Sequence, residues 1–278
     1  MDFHKMQGTG NDFIVCHEPT NNEIDWEKLA IEVCNRRFGI GSDGLILVKP
    51  SNSGNISMRM FNPDGSESAM CGNGIRCVAK FAHDEGMIKD PSKLTIETID
   101  GSYDVWPTLN SNDEIGKVRV DMNRPITEPD KIPVDIDLKG PIVDYPVTIH
   151  NSDLNLTFIS MGNPHAIHFQ DGDLDSIHLE TLGPKVESYA IFPNKINFEI
   201  VNVLSRELME LKVWERGAGI TLACGSGACA SFAAAHIKGL VDNKADVKLP
   251  GGTLTIEWDG EGSIYMTGPV ETVFKGTF

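Results

Sequence analysis

The sequence has few basic residues and no long apolar run. It carries 24 Lys and Arg against 40 Asp and Glu, which gives a net charge of −16. Nucleic acids and anionic membrane surfaces select basic patches, so this balance argues against both as partners. The apolar runs, such as Leu45 to Val48, are far too short to cross a bilayer. Residues 1–6 show no basic segment followed by an apolar core, so we expect no export signal.

Paired cysteines are also missing. The six cysteines stand at positions 16, 34, 71, 77, 224 and 229, and none forms a Cys-x-x-Cys pair. This spacing argues against a structural zinc site and against a dithiol redox protein, and we expect no metal. Without an export signal, the cysteines are expected to be thiols in a reducing compartment, which predicts a cytoplasmic protein.

What the sequence does contain is a repeat of itself. A shift of 153 positions places Cys71-Gly72-Asn73-Gly74 on Cys224-Gly225-Ser226-Gly227. Residues 58–88 match residues 211–241 without a gap, with six identities in 31 positions, where ordinary residue usage gives roughly two. Gly10-Asn11 also aligns with Gly162-Asn163 at a shift of 152. The repeat is about half the chain long, which indicates two homologous domains.

The pattern within each copy predicts the fold class. Strand-like segments outnumber helical ones, and each copy has one strongly apolar helix that begins at the repeated cysteine. We therefore predict an α+β fold with two pseudo-symmetric domains, each a curved, mostly antiparallel sheet wrapped around a central helix. An irregular passage after Asn123 places the boundary there. The N-terminal domain is then 1–122, completed by a C-terminal strand at 268–278, and the C-terminal domain is 123–267.

The position of the two repeated cysteines predicts chemistry. Both stand at a strand-to-helix turn, where a helix N-terminus carries unpaired N–H groups and a partial positive charge. Such a terminus lowers the pKa of a thiol, and the N–H groups of Gly72-Asn73 and Gly225-Ser226 are suited to an anion such as a carboxylate. Cys16, Cys34, Cys77 and Cys229 have no such position and are interpreted as packing residues.

Two thiols at equivalent positions of related domains would face each other across a cleft, where paired domains usually bind a ligand. That arrangement suits removal of a proton from one face of a carbon and delivery of a proton to the other face. The two helix ends would stabilise the carbanion-like transition state through the α-carboxylate. Such an exchange inverts a stereocentre, and it needs no cofactor.

Several motifs of the sequence resemble those of a known family, the diaminopimelate epimerases. The matching motifs span the chain: Lys5-Met6 through Gly10-Asn11-Asp12-Phe13, Asn62-Pro63-Asp64-Gly65-Ser66-Glu67, Cys71-Gly72-Asn73-Gly74-Ile75-Arg76, Met161-Gly162-Asn163-Pro164-His165, and Glu215-Arg216-Gly217 through Thr221-Leu222-Ala223-Cys224-Gly225. The resemblance implies an isomerase that converts LL-diaminopimelate to the meso form without pyridoxal phosphate, in lysine and peptidoglycan-precursor biosynthesis. It also implies a homodimer of two similar domains.

The resemblance further implies roles for individual residues. Cys71 and Cys224 would be the catalytic acid–base pair, supported by His165 and Glu215. The residues expected to bind substrate are Asn11, Asn62, Asn163, Asn197, Glu215 and Arg216, with Gly72, Asn73, Gly225 and Ser226 at the reacting carboxylate. Arg216 is suited to the distal carboxylate because its planar fork binds two oxygens at once.

Two positions depart from the family pattern, and one alternative stays open. Gly44 stands where some relatives have a glutamine, and Ile220 stands where many have glutamate. The nearest alternative is another two-thiol, cofactor-independent racemase that acts on proline or hydroxyproline. The motif at Asn62 to Glu67 and Arg216 favour a substrate with a second charged end.

Overall fold

A computed structural model describes residues 1–19, 24–51 and 54–278. The chain divides into two compact units. The first unit comprises Met1–Asp121 together with Thr267–Phe278, and the second comprises Met122–Met266. The last stretch of the chain therefore returns to the unit in which the chain begins.

The first unit is mainly a mixed sheet. Its strands are β1 (Asp2–Gly8), β2 (Asn11–His17), β3 (Gly44–Pro50), β4 (Ile56–Phe61), β5 (Glu67–Ser68), β6 (Leu94–Thr98), β7 (Gly101–Leu109), β8 (Ile115–Asp121) and β18 (Glu271–Thr277). Its helices are α1 (Trp26–Cys34) and α2 (Gly72–Asp84). The pairs β2–β3 and β4–β6 are parallel, whereas β18–β1, β1–β2, β3–β4, β4–β5, β6–β7 and β7–β8 are antiparallel.

The second unit has the same plan. Its strands are β9 (Tyr145–Ile149), β10 (Ser152–Ser160), β11 (Pro164–Phe169), β12 (Asn197–Ser205), β13 (Leu208–Glu215), β14 (Gly219–Ile220), β15 (Lys244–Leu249) and β16 (Gly252–Glu257), and β17 (Tyr265–Pro269) leads back to the first unit. Its helices are α3 (Leu179–Glu187) and α4 (Gly225–Ile237), with 3-10 turns at Pro129–Lys131 and Leu174–Ser176. The pairs β11–β12 and β13–β15 are parallel, and the pairs β9–β10, β10–β11, β12–β13, β13–β14 and β15–β16 are antiparallel.

These pairings confirm the pseudo-symmetric fold that the repeat predicts. The order antiparallel, parallel, antiparallel, antiparallel, parallel, antiparallel holds from β1 to β7 and again from β10 to β16. Helices α1 and α3 follow the second strand of each series, and α2 and α4 follow the fifth. The two central helices have the same length and are offset by the 153 residues of the sequence repeat.

Each central helix is buried within its own unit. Helix α2 packs on strands from β1 to β8, and α4 packs on strands from β10 to β16, so each sheet curves around its helix. Residues 72–82 of α2 are all buried, and α4 exposes only Ser226, His236 and Ile237 to any extent. Helix α4 suits this burial because it is rich in alanine, whereas α2 also buries the polar side chains of Asn73, Arg76 and Lys80. Within the described ranges, no helix has the length and apolar character needed to cross a membrane.

Local signals explain where the helices begin and end. Asp25 caps α1 by accepting a hydrogen bond from the Lys28 N–H at 3.0 Å. Gly86 and Gly239 lie just past the ends of α2 and α4 with φ of 66° and 69°. This left-handed conformation is the common way to end a helix, and glycine adopts it without strain.

Candidate active site

The two repeated cysteines occupy the same local structure. Cys71 is the N-cap of α2, and its Sγ accepts a hydrogen bond from the Gly74 N–H at 3.5 Å. Cys224 is the N-cap of α4, and its Sγ accepts from the Gly227 N–H at 3.3 Å. Each sulfur therefore lies at the positive end of a helix dipole, beside the first-turn N–H groups. Gly72, Asn73, Gly225 and Ser226 form these first turns, as predicted.

In the first unit, an asparagine pair lies next to the sulfur. Asn11 begins β2, and its Oδ1 is 3.7 Å from the Cys71 Sγ. The same oxygen accepts a hydrogen bond from the Asn73 amide at 3.1 Å, and the Asn11 amide donates to Asp43 at 2.7 Å. The predicted residues Asn11, Asn73 and Cys71 are therefore brought together. The contacts fix the Asn11 carbonyl towards the thiol.

Helix α2 also carries a buried guanidinium, that of Arg76. The Arg76 side chain is fully buried and donates to Thr9 Oγ1 at 2.8 Å and to the Pro269 carbonyl at 3.1 Å. A third contact joins it to the Gly72 carbonyl at 3.4 Å, on the first turn of α2. The first unit thus holds a buried positive charge against the first turn of the helix that Cys71 caps. Arg76 is visible in the sequence as a charged residue in a largely apolar helix, but the sequence does not identify its hydrogen-bond partners.

Asn62 and Gly44 lie in the first unit, and the contacts described for them do not involve Cys71. Asn62 follows β4 in a tight turn, where its amide donates to Ser66 Oγ at 3.0 Å. Gly44 begins β3, and a Cβ there would lie 3.0 Å from both the Phe61 carbonyl oxygen and the Met60 Cε. The strand next to Gly44 would therefore have to shift to accept a glutamine at this position.

In the second unit, a chain of hydrogen bonds ends at the sulfur. Ser226 Oγ is 3.5 Å from the Cys224 Sγ, and it accepts from the Asn163 amide at 3.2 Å. Asn163 Oδ1 lies 3.0 Å from the His165 Nε2. The structure therefore brings together the start of β11 and the start of α4, with the predicted residues Cys224, Ser226, Asn163 and His165.

The chain of hydrogen bonds begins at Glu199, a residue to which no sequence motif pointed. Glu199 lies on β12, is fully buried, and places its Oε1 2.6 Å from the His165 Nδ1. Burial raises the pKa of its carboxyl, and His165 opposes that shift. A signal was available, because Glu199 interrupts an apolar strand and aligns by the repeat with Ile46. The repeated glycine is explained too, since a Cβ at Gly227 would lie 2.7 Å from the Glu199 Oε1.

Glu215 adds a second carboxyl beside Cys224. It ends β13 and accepts a hydrogen bond from the Thr221 hydroxyl. Burial raises the pKa of the Glu215 carboxyl. Burial also raises the pKa of the Cys224 thiol well above its ordinary value, with further contributions from the charges of Glu215 and Glu199. The expectation that the helix end lowers the thiol pKa is therefore wrong for Cys224, because desolvation outweighs the hydrogen bonds from Ser226 and Gly227.

Asn197 and Arg216 are joined to each other by a hydrogen bond. Asn197 begins β12, donates to the Pro164 carbonyl at 2.8 Å and accepts from the Arg216 N–H at 2.9 Å. The Arg216 guanidinium is exposed and donates to the Asn194 carbonyl at 3.1 Å. Ile220, the second departure, lies on the short strand β14 and is 47% exposed.

Comparison with known proteins identifies the family. The family model described as diaminopimelate epimerase matches residues 3–127 and 157–273. A diaminopimelate epimerase of Methanococcus maripaludis (strain DSM 14266) is 47% identical over 277 residues, with 99% of each chain covered. A diaminopimelate epimerase of Pelotomaculum thermopropionicum is 42% identical over 280 residues, which cover 100% of this chain and 99% of the relative.

Solved structures support the fold. A phenazine biosynthesis protein of the PhzF family from Bacillus anthracis has a TM-score of 0.71 at 17% identity, covering 99% of this chain and 98% of its own. A probable proline racemase from Agrobacterium radiobacter has a TM-score of 0.70 at 14% identity, covering 100% and 92%. At this identity the likeness concerns the fold alone. The full-length match to the family model and to these relatives shows that the chain belongs to the diaminopimelate epimerase family, and that it is an enzyme of the epimerase class.

Proposed function

We propose that this enzyme interconverts LL- and meso-diaminopimelate by a cofactor-independent, two-base exchange between Cys71 and Cys224. The observation that carries the proposal is the repeated N-cap thiol. Cys71 and Cys224 lie 153 residues apart, and each is the N-cap of the central helix of its unit. Each Sγ accepts a hydrogen bond from the backbone N–H three residues further on. The relatives with 42% and 47% identity that carry the name diaminopimelate epimerase support the substrate.

The proposed reaction moves one proton off the α-carbon and one onto it. One cysteine acts as thiolate and takes the α-proton, leaving the electron pair on the carbon as a carbanion-like species. The other cysteine, as thiol, gives its proton to the opposite face of the same carbon. The net change is inversion of that centre, and the two sulfurs have exchanged their protonation states. The mechanism requires that both thiols reach a single α-carbon.

Helix ends supply the stabilisation that this weakly acidic carbon requires. We propose that the first turns of α2 and α4, at Gly72-Asn73 and Gly225-Ser226, bind the α-carboxylate of the reacting centre. Backbone N–H groups and helix dipoles are fixed before the reaction, so they stabilise developing negative charge without reorganising. Removing a donor of this kind from an active site lowers kcat by about 10²–10³-fold.

The remaining residues are proposed to select the substrate and to support the thiols. Arg216 is suited to the distal carboxylate, because its guanidinium is exposed and can bind two oxygens. Amide groups can accept from an ammonium and donate to a carboxylate, which distinguishes the two distal configurations. The residues assigned this role are Asn11, Asn62, Asn163 and Asn197. His165 and Glu215 are proposed to support the reaction at Cys224, to which both are linked.

Isotope exchange tests the proposal against its nearest rival. The purified enzyme is incubated in D₂O with LL-diaminopimelate, L-proline or trans-4-hydroxy-L-proline. We expect deuterium at the α-position of diaminopimelate as the meso form appears, because the donor thiol exchanges its proton with solvent. We expect neither proline compound to be labelled. Labelling of proline alone would replace the proposal with a proline racemase, and labelling of none would leave the two-base assignment without support.

The cellular setting belongs to the same proposal. The reaction would serve lysine and peptidoglycan-precursor biosynthesis in the cytoplasm, with the enzyme as a homodimer. We also propose that the functional halves are the domains 1–122 with 268–278 and 123–267, each contributing one cysteine. Sedimentation at micromolar concentration would test the dimer directly.

A further inference from the structure

Glu187 is the last residue of α3, and its buried carboxyl accepts three hydrogen bonds next to the turn that carries Arg216. Its Oε1 accepts from the Gly217 N–H at 3.1 Å and from the Lys195 Nζ at 3.2 Å. Its Oε2 accepts from the Trp214 Nε1–H at 2.7 Å. Burial raises the pKa of this carboxyl, but the hydrogen bonds from Trp214, Lys195 and Gly217 outweigh burial and hold the pKa below its ordinary value. Glu187 is therefore a carboxylate that is bonded to both sides of Arg216.

The turn of residues 215–219, the Arg216 turn, is flexible by composition. It contains no proline, and its two glycines, Gly217 and Gly219, have φ of 79° and 81°. Glycine loses more conformational freedom on ordering than other residues, so a turn of this kind is costly to fix. A backbone hydrogen bond closes the turn, and two side chains from elsewhere in the unit complete it. Asn197 accepts the Arg216 N–H, and Glu187 accepts the next N–H along the chain.

The equivalent turn of the first unit is fixed by its own residues. The shift of 153 positions places Asn62-Pro63-Asp64 on Glu215-Arg216-Gly217. Pro63 has its φ fixed by its ring. The Asp64 carboxyl accepts from the Ser66 N–H at 2.9 Å and from the Ser66 hydroxyl at 2.6 Å. The first unit therefore fixes this turn with a proline and a local carboxylate.

The helix end next to that turn has no carboxylate in the first unit. The repeat places Cys34, the last residue of α1, on Glu187, and it places Ser42 on Lys195. The Ser42 hydroxyl donates to the Cys34 Sγ at 3.2 Å, as Lys195 donates to Glu187. The fold thus keeps a contact at this place and does not require a charged residue for it. The carboxylate occurs in the unit whose turn has an arginine where the other has a proline.

We propose that Glu187 is a positioning residue, which fixes the Arg216 turn so that the guanidinium is ready for the distal carboxylate of the substrate. The proposal rests on the proposed function for the identity of that carboxylate. The guanidinium is exposed and donates to the Asn194 carbonyl, so the backbone of the turn decides where its other N–H groups lie. A binding group that is fixed in advance loses less freedom when the ligand arrives.

The effect should concern binding more than proton transfer. The carboxyl of Glu215, which is proposed to support the reaction, accepts a separate hydrogen bond from the Thr221 hydroxyl. Loss of the Glu187 carboxylate leaves that contact in place. We therefore expect a rise in KM for diaminopimelate with a small change in kcat.

Hydrogen exchange tests the positioning role without any reaction. Mass spectrometry would follow the backbone N–H groups of residues 215–219 in wild type, Glu187→Ala and Glu187→Gln. We expect exchange in this segment to be at least about 10-fold faster in Glu187→Ala, the factor that loss of a hydrogen bond to a charged group implies. Glu187→Gln should have an intermediate rate, because its amide must face one of the donors with an N–H of its own. Cys34→Ala, the matched variant of the first unit, should leave this rate unchanged.

Kinetics test whether Glu187 acts through Arg216. We expect Glu187→Ala to raise KM for diaminopimelate at least about fivefold and to keep kcat within about threefold, whereas Cys34→Ala should behave as wild type. In an Arg216→Leu background, Glu187→Ala should lower kcat/KM less than about twofold, because the group that it positions is gone. The full loss of kcat/KM in that background would overturn the proposal.

The exchange data give two further ways to reject the proposal. Unchanged exchange of residues 215–219 in both Glu187 variants would overturn it. Faster exchange of residues 225–237 as well would also overturn it, because Glu187 would then support the unit as a whole. If Glu187→Ala folds poorly, Glu187→Gln carries the same comparison. If wild type fails to epimerise diaminopimelate while residues 215–219 exchange as expected, the proposed function fails and the positioning of the turn stands.

Discussion

The sites around Cys71 and Cys224 share a backbone and differ in charge. Cys71 is half-buried, and its Sγ accepts a hydrogen bond from the Gly74 N–H. The Asn11 oxygen lies beside this sulfur, and the buried Arg76 contacts the first turn of the helix that Cys71 caps. Cys224 is 5% exposed, and the carboxyls of Glu215 and Glu199 raise the pKa of its thiol in addition to burial. The repeat therefore reproduces position, whereas the substitutions within it set the electrostatic environment.

Two pairs of positions that correspond in the repeat account for this difference in charge. Arg76 in α2 corresponds to Cys229 in α4, and Ile46 corresponds to Glu199. The first unit thus has a buried cation near its thiol, and the second has buried carboxyls near its own. An exchange that needs one thiolate and one thiol at the start is served by such asymmetry. We expect the resting enzyme to hold its proton on Cys224.

Removing either sulfur should have the largest effect. Because the proposed exchange uses each thiol on its own face of the carbon, Cys71→Ala and Cys224→Ala should each lower kcat by about 10²–10⁴-fold or more. Steady-state epimerisation assays measure the loss, and circular-dichroism melting checks the fold. Cys229→Ala is the matched control, since Cys229 lies in the same helix as Cys224 but has no proposed role. Near-normal turnover in either N-cap variant would mean that the two sites are not equivalent partners.

The reactivity of the two thiols should differ next most. We compare alkylation of Cys71 in a Cys224→Ser protein with alkylation of Cys224 in a Cys71→Ser protein, by iodoacetamide at pH 7.5 with mass spectrometry of the labelled peptides. Cys71 should react at least 10-fold faster, because Cys224 is more buried and its raised pKa leaves less of the reactive thiolate.

A charge substitution sharpens the same experiment. In the Cys71→Ser background, Glu215→Gln should increase the alkylation rate of Cys224 several-fold, since the carboxyl charge is one cause of the raised thiol pKa. Glu210→Gln, on the same strand β13, serves as the control and should leave the rate unchanged. Equal rates for the two thiols in the parent proteins would show that the carboxyls do not govern Cys224.

The sequence predicted the parts of this comparison that depend on repetition. The shift of 153 positions was enough to predict two related units, the central helices and the thiols at their starts. These features follow from local pattern, because an apolar helix and a strand-to-helix turn are each encoded within a few residues. The residues around each thiol, Asn11, Asn163 and Ser226 among them, came from the repeat or from the family resemblance.

The electrostatic difference was beyond the sequence. A pKa depends on burial and on groups from other strands, and neither is visible in a local pattern. The pKa of the Cys224 thiol is therefore raised, opposite to the effect of the helix end, because desolvation outweighs the dipole. Glu199 was missed for the same reason, as its partner His165 is 34 residues away on a neighbouring strand.

The smallest effect is a difference in how stability depends on pH. Burial raises the pKa of Glu215, so the folded protein keeps this proton at a pH where the unfolded chain has lost it. The contribution to stability is complete below the unfolded pKa of about 4.3 and is lost as pH rises through the folded value. Urea unfolding of wild type and Glu215→Gln between pH 4 and 7 should show that the variant loses less stability across this range.

The sign of this difference follows from the raised pKa of the folded state, and its size reports how far that pKa is raised. Glu210→Gln removes a charge from the same strand and should follow wild type, which separates the effect of burial from that of net charge. Parallel curves for wild type and Glu215→Gln would mean that the carboxyl beside Cys224 is as well solvated as one in the unfolded chain. The contrast between the two thiol sites would then have to rest on Glu199 and on burial of the sulfur alone.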